Sequence, residues 1–252
     1  MKQQLVEGLE IYDRSSSSIF LSSLTAGLEI GFSYLLLCTL FHFLNGHFSF
    51  DTIYKLQSLV YPVGFILVIM GQSILFTEQT SLLTLPVLNN KLSIGSLMKL
   101  WGVVISGNLV GGCLMAILLT WIGPQLGLFD EFSITNIALH VSSSPVYVIF
   151  VSAILAGWLM GLLSWLITSA RDTFSRITLI FMVTGTMAFT GLHHSIIGNV
   201  EVFGGFLTSP AIQFTDYLSF QLLALFGNAI GGGFFVALLK YRAFVYDIGV
   251  RR

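Results

Sequence analysis

A six-residue phrase occurs twice in this chain, first as Gly107-Asn108-Leu109-Val110-Gly111-Gly112 and again as Gly227-Asn228-Ala229-Ile230-Gly231-Gly232. Each copy lies inside a long apolar stretch. Each is preceded by another apolar stretch that carries a polar interruption. The first interruption is Thr77-Glu78-Gln79-Thr80; the second runs from His193-His194-Ser195 through Asn199. Two similar halves, each with a broken hydrophobic segment, are the pattern of a transport protein whose site sits at the bilayer midplane.

Composition supports a membrane setting. Hydrophobic residues make up 55% of the chain and charged residues only 9%. A water-soluble domain carries about 25% charged residues, so this chain cannot cover a surface facing water. The first nineteen residues mix Lys2, Glu7, Glu10, Asp13 and Arg14 and lack an apolar core, so no cleavable leader is expected. Cys38 and Cys113 lie in apolar stretches and read as packing residues, with neither a disulfide framework nor metal-ligand spacing.

A helix needs about 20 apolar residues to cross the hydrocarbon core. Stretches at 20–43, 59–89, 97–122, 145–169, 177–209 and 217–239 meet that need. The second and fifth are too long for one straight crossing. Both hold a polar interruption, so each is expected to be two short helices joined by unwound backbone. Such backbone survives at membrane depth only where protein or a watery cavity satisfies it. The chain divides into an inner N-terminal segment 1–19, a six-span unit 20–240 and an inner C-terminal tail 241–252. In that layout every lysine and arginine except Lys55 falls on one side, which places both termini in the cytoplasm. The loop at 123–144 has Asp130 and Glu131 but no basic residue, as an outer loop should.

Three spans per half force the halves into opposite orientation, related by a pseudo-two-fold axis in the membrane plane. The expected fold is therefore an all-α membrane protein of six helices in two inverted three-helix repeats. The glycines of the repeated phrase allow close helix approach, and Asn108 and Asn228 are expected to tie down the unwound backbone. Ser142-Ser143-Ser144-Pro145 reads as a capping hydroxyl and a first-turn proline for the fourth span. Ser209-Pro210 reads as the stop of the fifth. Residues 5–14 are expected to form a short amphipathic helix on the inner surface.

His194 is the leading candidate for chemistry. An ionisable side chain inside a span is costly and marks function, and imidazole changes charge near neutral pH. A protonated or hydrogen-bonding imidazole at a break would stabilise a small anion or lend it a proton. His193, about 100° away if that turn is helical, reads as a supporting or packing residue. Thr77 offers a hydroxyl at the other break. Leu75, Phe76 and Met187 are apolar neighbours suited to narrowing a pore. Glu78 and Glu201 are placed near the starts of the second half-helices, where the helix dipole favours a carboxylate, and Asn199 reads as a cap of the same helix. As an alternative to caps, both acids are candidates for proton or selectivity roles. Glu29 is a third intramembrane acid, without a partner nameable from sequence.

Taken together, these segments resemble the formate/nitrite transporter family. Leu75-Phe76-Thr77 is similar to that family's leucine–phenylalanine–threonine loop. Gly191-Leu192-His193-His194-Ser195-Ile196 resembles its glycine–aromatic–acid–histidine–serine run, and the Gly-Asn phrase after Trp101 resembles its third helix. The similarity covers roughly 20–245. It implies an aquaporin-like protomer with its own pore, a homopentamer with a lipid-plugged central hole, and passage of small monovalent anions such as formate, nitrite or hydrosulfide with a proton supplied to the weak acid. It places the family's central histidine on His194, its loop threonine on Thr77, its inner-mouth basic residue on Arg176 and its pore-narrowing positions on Leu75, Phe76 and Met187. Four departures touch the pore lining. His193 stands where the family has an acid. Gly198 and Gly157 stand where it has asparagines, with Asn199 one residue later. Glu78 follows the threonine where small residues prevail.

The leading expectation is thus a channel or transporter for small anions or their conjugate acids in an inner membrane, with no cofactor, no metal, no nucleic-acid partner and no catalysed reaction. Its partners are the small anion, the lipid bilayer and further copies of the chain. Glu78 and Glu201 motivate an alternative, a pore for small neutral solutes. A membrane metalloenzyme using His193, His194 and Glu201 is disfavoured, because adjacent histidines diverge on a helix whereas helical metal sites space ligands three or four apart.

Overall fold

A computed structural model describes residues 2–243. Six helical runs are long and apolar enough to cross a membrane: Ser16–Leu44, Phe50–Met70, Ile94–Gln125, Val146–Ser169, Thr173–Thr190 and Phe214–Ala243. In chain order the helices are α1 (Lys2–Tyr12), α2 (Ser16–Leu44), α3 (Phe50–Leu56), α4 (Pro62–Met70), α5 (Phe76–Leu88), α6 (Ile94–Gln125), α7 (Glu131–Ser142), α8 (Val146–Ser169), α9 (Thr173–Thr190), α10 (Ser195–Thr208) and α11 (Phe214–Ala229). The last continues as a π-helical stretch, Ile230–Leu238. Of the expected C-terminal tail, residues 244–252 lie outside the described residues.

The two halves repeat one arrangement. α2 packs along α6, and α8 packs along α11 and its π-helical continuation. The glycines of the repeated phrase bring each pair together. A Cβ on Gly111 would strike the Leu24 carbonyl of α2; a Cβ on Gly231 would strike the Ile154 carbonyl of α8. Close backbone contact of this kind is how helices associate where lipid removes the hydrophobic drive between them. Between the long helices of each half lies a broken pair: α4 and α5 in the first, α9 and α10 in the second. Leu118, Trp121, Leu155 and Phe226 are exposed on the outside, as a lipid-facing surface requires.

Both breaks fall earlier than the polar clusters suggested. The first is Gly71–Leu75, and Thr77-Glu78-Gln79-Thr80 is the first turn of α5. The second is Gly191–His194, with Ser195 through Asn199 already inside α10. Polar residues cluster there because the first turn of a helix leaves N–H groups needing partners, so the cluster marks the helix start and not the gap.

Other local expectations also shift. The second span starts at Phe50, because Ser49 caps α3 through its hydroxyl. The 123–144 loop contains α7, capped by Asp130, whose carboxylate accepts from the Ser133 N–H. This bond and the Ser133 hydroxyl, with His42 nearby, hold the Asp130 carboxyl below its usual range despite some burial. α8 begins with Pro145 at its cap position and no serine hydroxyl bond. Ser209 ends α10 as expected.

α1 lies across one end of the molecule. The Tyr12 hydroxyl donates to the Leu83 carbonyl of α5 at 3.0 Å, and the Thr168 hydroxyl of α8 donates to the Glu7 carboxylate at 2.7 Å. Leu5 of α1 and Tyr241 near the other end pack against one cluster that includes Leu82, Leu85 and Trp165. α1 and the end of the last described helix therefore share one face.

Candidate functional site

The two breaks are held by the same device. At the first, the Asn108 Oδ1 accepts from the Phe76 N–H at 2.8 Å, and its Nδ2 donates to the carbonyls of Ile74 at 2.8 Å and Ser23 at 2.7 Å. At the second, the Asn228 Oδ1 accepts from the Ser195 N–H at 2.8 Å, and its Nδ2 donates to the carbonyls of His193 at 3.1 Å and Ala153 at 2.7 Å. Both asparagines are fully buried. Each satisfies the unwound strand and the neighbouring long helix with a single amide. Away from water, backbone groups left without such partners would cost several kcal/mol (~2–7 each).

Held this way, the breaks bring His194 and Thr77 together. Thr77 Oγ1 and His194 Nε2 are 2.6 Å apart, and both residues are buried. His194 is the cap of α10: its Nδ1 accepts from the N–H groups of Ile196 at 3.2 Å and Ile197 at 3.5 Å. That assigns the tautomer with the proton on Nε2, which donates to the Thr77 oxygen. The threonine's own hydrogen has no acceptor among the described residues and is available to a solute. Of the two imidazole roles expected, this geometry displays the hydrogen-bonding one.

Sequence reasoning missed Phe65 of α4. Its ring meets the His194 imidazole edge-on at 5.1 Å and touches Tyr61 at 5.2 Å. The signal was the spacing Tyr61–Phe65, which puts two aromatic rings on one face of a helix. Leu75 and Phe76 are buried beside the pair, and Phe76 packs edge-on against Trp101. Met187 is buried one turn before the second break.

Beyond His194, on the side away from α1, lies a cavity of about 140 Å³. Tyr54, Gln57, Tyr61, His140, His193 and Glu201 contribute to its wall. His193 and His194 both line it, against the expectation that they diverge, because 192–194 is extended and not helical. His193 is fixed on both nitrogens: Nε2 bonds the Val141 carbonyl at 3.0 Å and Nδ1 bonds the Ser152 hydroxyl. His140 stacks on Tyr54 at 3.6 Å. Burial, then the nearby His193 and Lys55, push its pKa down to about 4, with Asp51 opposing. Lys55 donates to the Phe189 carbonyl at the end of α9 at 2.8 Å, a favourable place for a cation.

The acids and the outlying candidates are placed differently from expectation. Glu201 is no cap; it is the seventh residue of α10, whose cap is His194. Asn199 is the fifth residue of that helix and is no cap either. Its amide donates to the Leu109 carbonyl at 3.1 Å and its oxygen accepts from the Tyr217 hydroxyl at 2.7 Å, so it joins α10 to α6 and α11. Gly198 beside it faces the Phe220 ring, and Gly157 abuts Asn228; a side chain at either would collide. Glu78 sits in the first turn of α5, bonded by Gln79, on the side covered by α1 and near Glu7. Arg176 lies in the first turns of α9, with Nε donating to the Ala170 carbonyl at 3.3 Å, away from the Thr77–His194 pair. The Glu29 Oε2 is buried without a partner among the described residues.

Comparison with known proteins matches this architecture. The family model described as formate/nitrite transporter matches residues 1–242. The inner membrane protein YfdC of Escherichia coli is 29% identical over 98% of this chain and 78% of its own. A solved FNT family ion channel superposes with a TM-score of 0.86 at 24% identity, covering 96% of this chain and 97% of that one. A pentameric formate channel solved with formate bound superposes at 0.76 and 18% identity, covering 91% and 98%.

Proposed function

The chain belongs to the formate/nitrite transporter family, and from that premise we propose that it conducts small monovalent anions as their conjugate weak acids, of the formate, nitrite or hydrosulfide type. It is a transport protein and not an enzyme, as its family is. The observation that carries the reading is the 2.6 Å contact between Thr77 and His194, formed where two symmetry-related breaks meet.

The apolar wall formed by Phe65, Leu75, Phe76 and Met187 disfavours a hydrated ion, because burying an unpaired charge is expensive. A small neutral acid pays far less. At the pair, the Thr77 hydroxyl offers a hydrogen bond while His194 holds the threonine oxygen from behind, so the midplane histidine assists proton-linked passage. Arg176 raises the local anion concentration at the inner mouth. Glu78 and His193 tune selectivity on either side. Asn199 acts on the pathway through the packing of α10. The protomers assemble as a homopentamer in a bacterial inner membrane with both termini cytoplasmic. The basic inner face supports that orientation, and the pentameric formate channel of the same fold supports that assembly.

A second reading, a pore for small neutral solutes, is favoured by the carboxyl groups of Glu78 and Glu201, one on each side of the pair. Stopped-flow swelling of vesicles containing the protein separates the two. Formate, nitrite and hydrosulfide salts are expected to accelerate swelling, more so at lower pH. Acceleration with urea or glycerol alone would replace the weak-acid reading with the neutral one.

A further inference from the structure

The wall of the cavity beyond the Thr77–His194 pair includes a carboxyl group, that of Glu201. Glu201 lies about two turns along α10 from the capping His194, roughly 10 Å further on, and both line the cavity. Its side chain is 5% exposed and lines the cavity. No hydrogen bond to its carboxyl forms among the described residues, where the sole ion pair is His42–Asp130. Its carboxyl is therefore free to bond with what the cavity holds.

The surrounding groups narrow what Glu201 can do. Tyr34 and Cys38 of α2 and Tyr61 before α4 lie within its electrostatic reach. From α7, His140 reaches the cavity stacked on Tyr54. Cys113 and Tyr217 gather instead around Asn199, toward α6 and α11. Lys55 is bound to a backbone carbonyl. No cation therefore holds the carboxyl as a fixed anion. The two histidines at the break each engage both ring nitrogens in hydrogen bonds within the protein, so neither offers a free N–H to the cavity.

We propose that Glu201 is the proton-donating subsite of the vestibule, an inference that rests on the weak-acid reading above. An anion entering the cavity accepts the carboxyl hydrogen. The O–H bond of Glu201 breaks, a bond from that hydrogen to the solute forms, and the electron pair stays on Glu201 as carboxylate. The neutral acid moves on to Thr77. The carboxylate then takes a proton from hydronium in the water at the cavity mouth. One anion and one proton cross together, and no charge enters the apolar constriction.

Vesicles containing the wild type, Glu201→Gln and Glu201→Asp decide this, with formate as the probe and formamide, of similar size and needing no proton, as its comparator. Glu201→Gln keeps the shape and the hydrogen bonding but cannot transfer a proton. Its formate flux is expected to fall about tenfold or more, its formamide flux to match the wild type, and Glu201→Asp to recover part of the formate flux. Equal formate flux and an unchanged pH profile in Glu201→Gln would overturn the proposal. Infrared difference spectra of the purified protein on adding formate give a second readout. The loss of a protonated carboxyl band in the wild type, absent in Glu201→Gln, supports the proton transfer; identical spectra overturn it. If no weak-acid salt crosses even the wild type, the weak-acid reading fails while the spectra still decide whether Glu201 gives up its proton.

Discussion

The two breaks are built alike and furnished differently. Asn108 and Asn228 make the same three bonds with the same chemistry, so the scaffold of each half treats its gap identically. What the gaps present is another matter. The first offers Leu75, Phe76 and a hydroxyl, and leads into α5, where Glu78 lies near Glu7 of α1. The second offers His193 and His194, and opens onto a cavity walled by tyrosines, His140 and Glu201. Symmetry thus governs the structure that survives in lipid, while asymmetry supplies the chemistry. A pore with two equal ends would have no reason to place its imidazoles on one side.

The largest effect is expected where the halves agree. Asn228→Ala leaves one N–H and two carbonyls without partners, each costing ~1–3 kcal/mol. A loss on the order of 3 kcal/mol or more should appear as a sharply lower unfolding temperature in detergent. Asn108→Ala should lose a similar amount, since it breaks the matching set. A clear inequality between them would show that one half tolerates an open gap, and the equivalence of the two clamps would fall.

Next comes the pair where the halves meet. Thr77→Val keeps the shape, removes the hydroxyl and leaves the His194 Nε2–H unpaired. Formate flux is expected to drop roughly tenfold, the worth of one good hydrogen bond, with Thr77→Ser near wild type. His194→Phe should do at least as much and also flatten the pH dependence of flux. If the two residues act as a unit, the double variant is no worse than the stronger single one. Additive losses, read from the same vesicle assay, would separate their roles.

Much of this was legible in the sequence, and the rest was hidden for identifiable reasons. The spans, the inverted repeat, the two breaks and the tie role of Asn108 and Asn228 follow from apolar length and from a repeated phrase, both of which a linear sequence displays. The positions of the breaks were misread because Thr77–Thr80 and Ser195–Asn199 are helix first turns, which attract polar residues just as gaps do. Glu201 was misread as a cap because cap position depends on where α10 starts, a boundary sequence locates poorly. Asn199 was read as a cap because nothing in its neighbours shows that Leu109 and Tyr217, distant in sequence, claim its amide. Phe65 was missed because its importance comes from a ring contact with His194 across the fold.

A smaller contrast lies in the backbone of the breaks. Gly191 sits at φ 69°, where glycine is at ease, while Gln72 adopts φ 61° at the other break. Side chains in that region cost roughly 1–2 kcal/mol. Gly191→Ala should therefore destabilise by about 1 kcal/mol. Gln72→Gly should be neutral or gain less than that, because the relief is offset by the greater freedom of glycine in the unfolded chain. Denaturation of the two variants side by side checks the sign of each.

The smallest effect belongs to His140, and it bears on why the imidazoles sit together. Its pKa of about 4 in the folded protein lies under the ordinary 6.5. As pH falls through 6.5, the unfolded chain takes up a proton that the folded one refuses, so stability declines until about pH 4 and then levels off. The ring keeps contact with solvent, which screens the effect, so the decline is modest. His140→Gln should remove that part of the slope, seen as a smaller difference in unfolding temperature between pH 7.5 and pH 5. A wild-type slope that survives the substitution would assign it to other groups of the vestibule. A slope that disappears would assign the acid sensitivity to His140, in the cavity wall where the solute is proposed to take its proton.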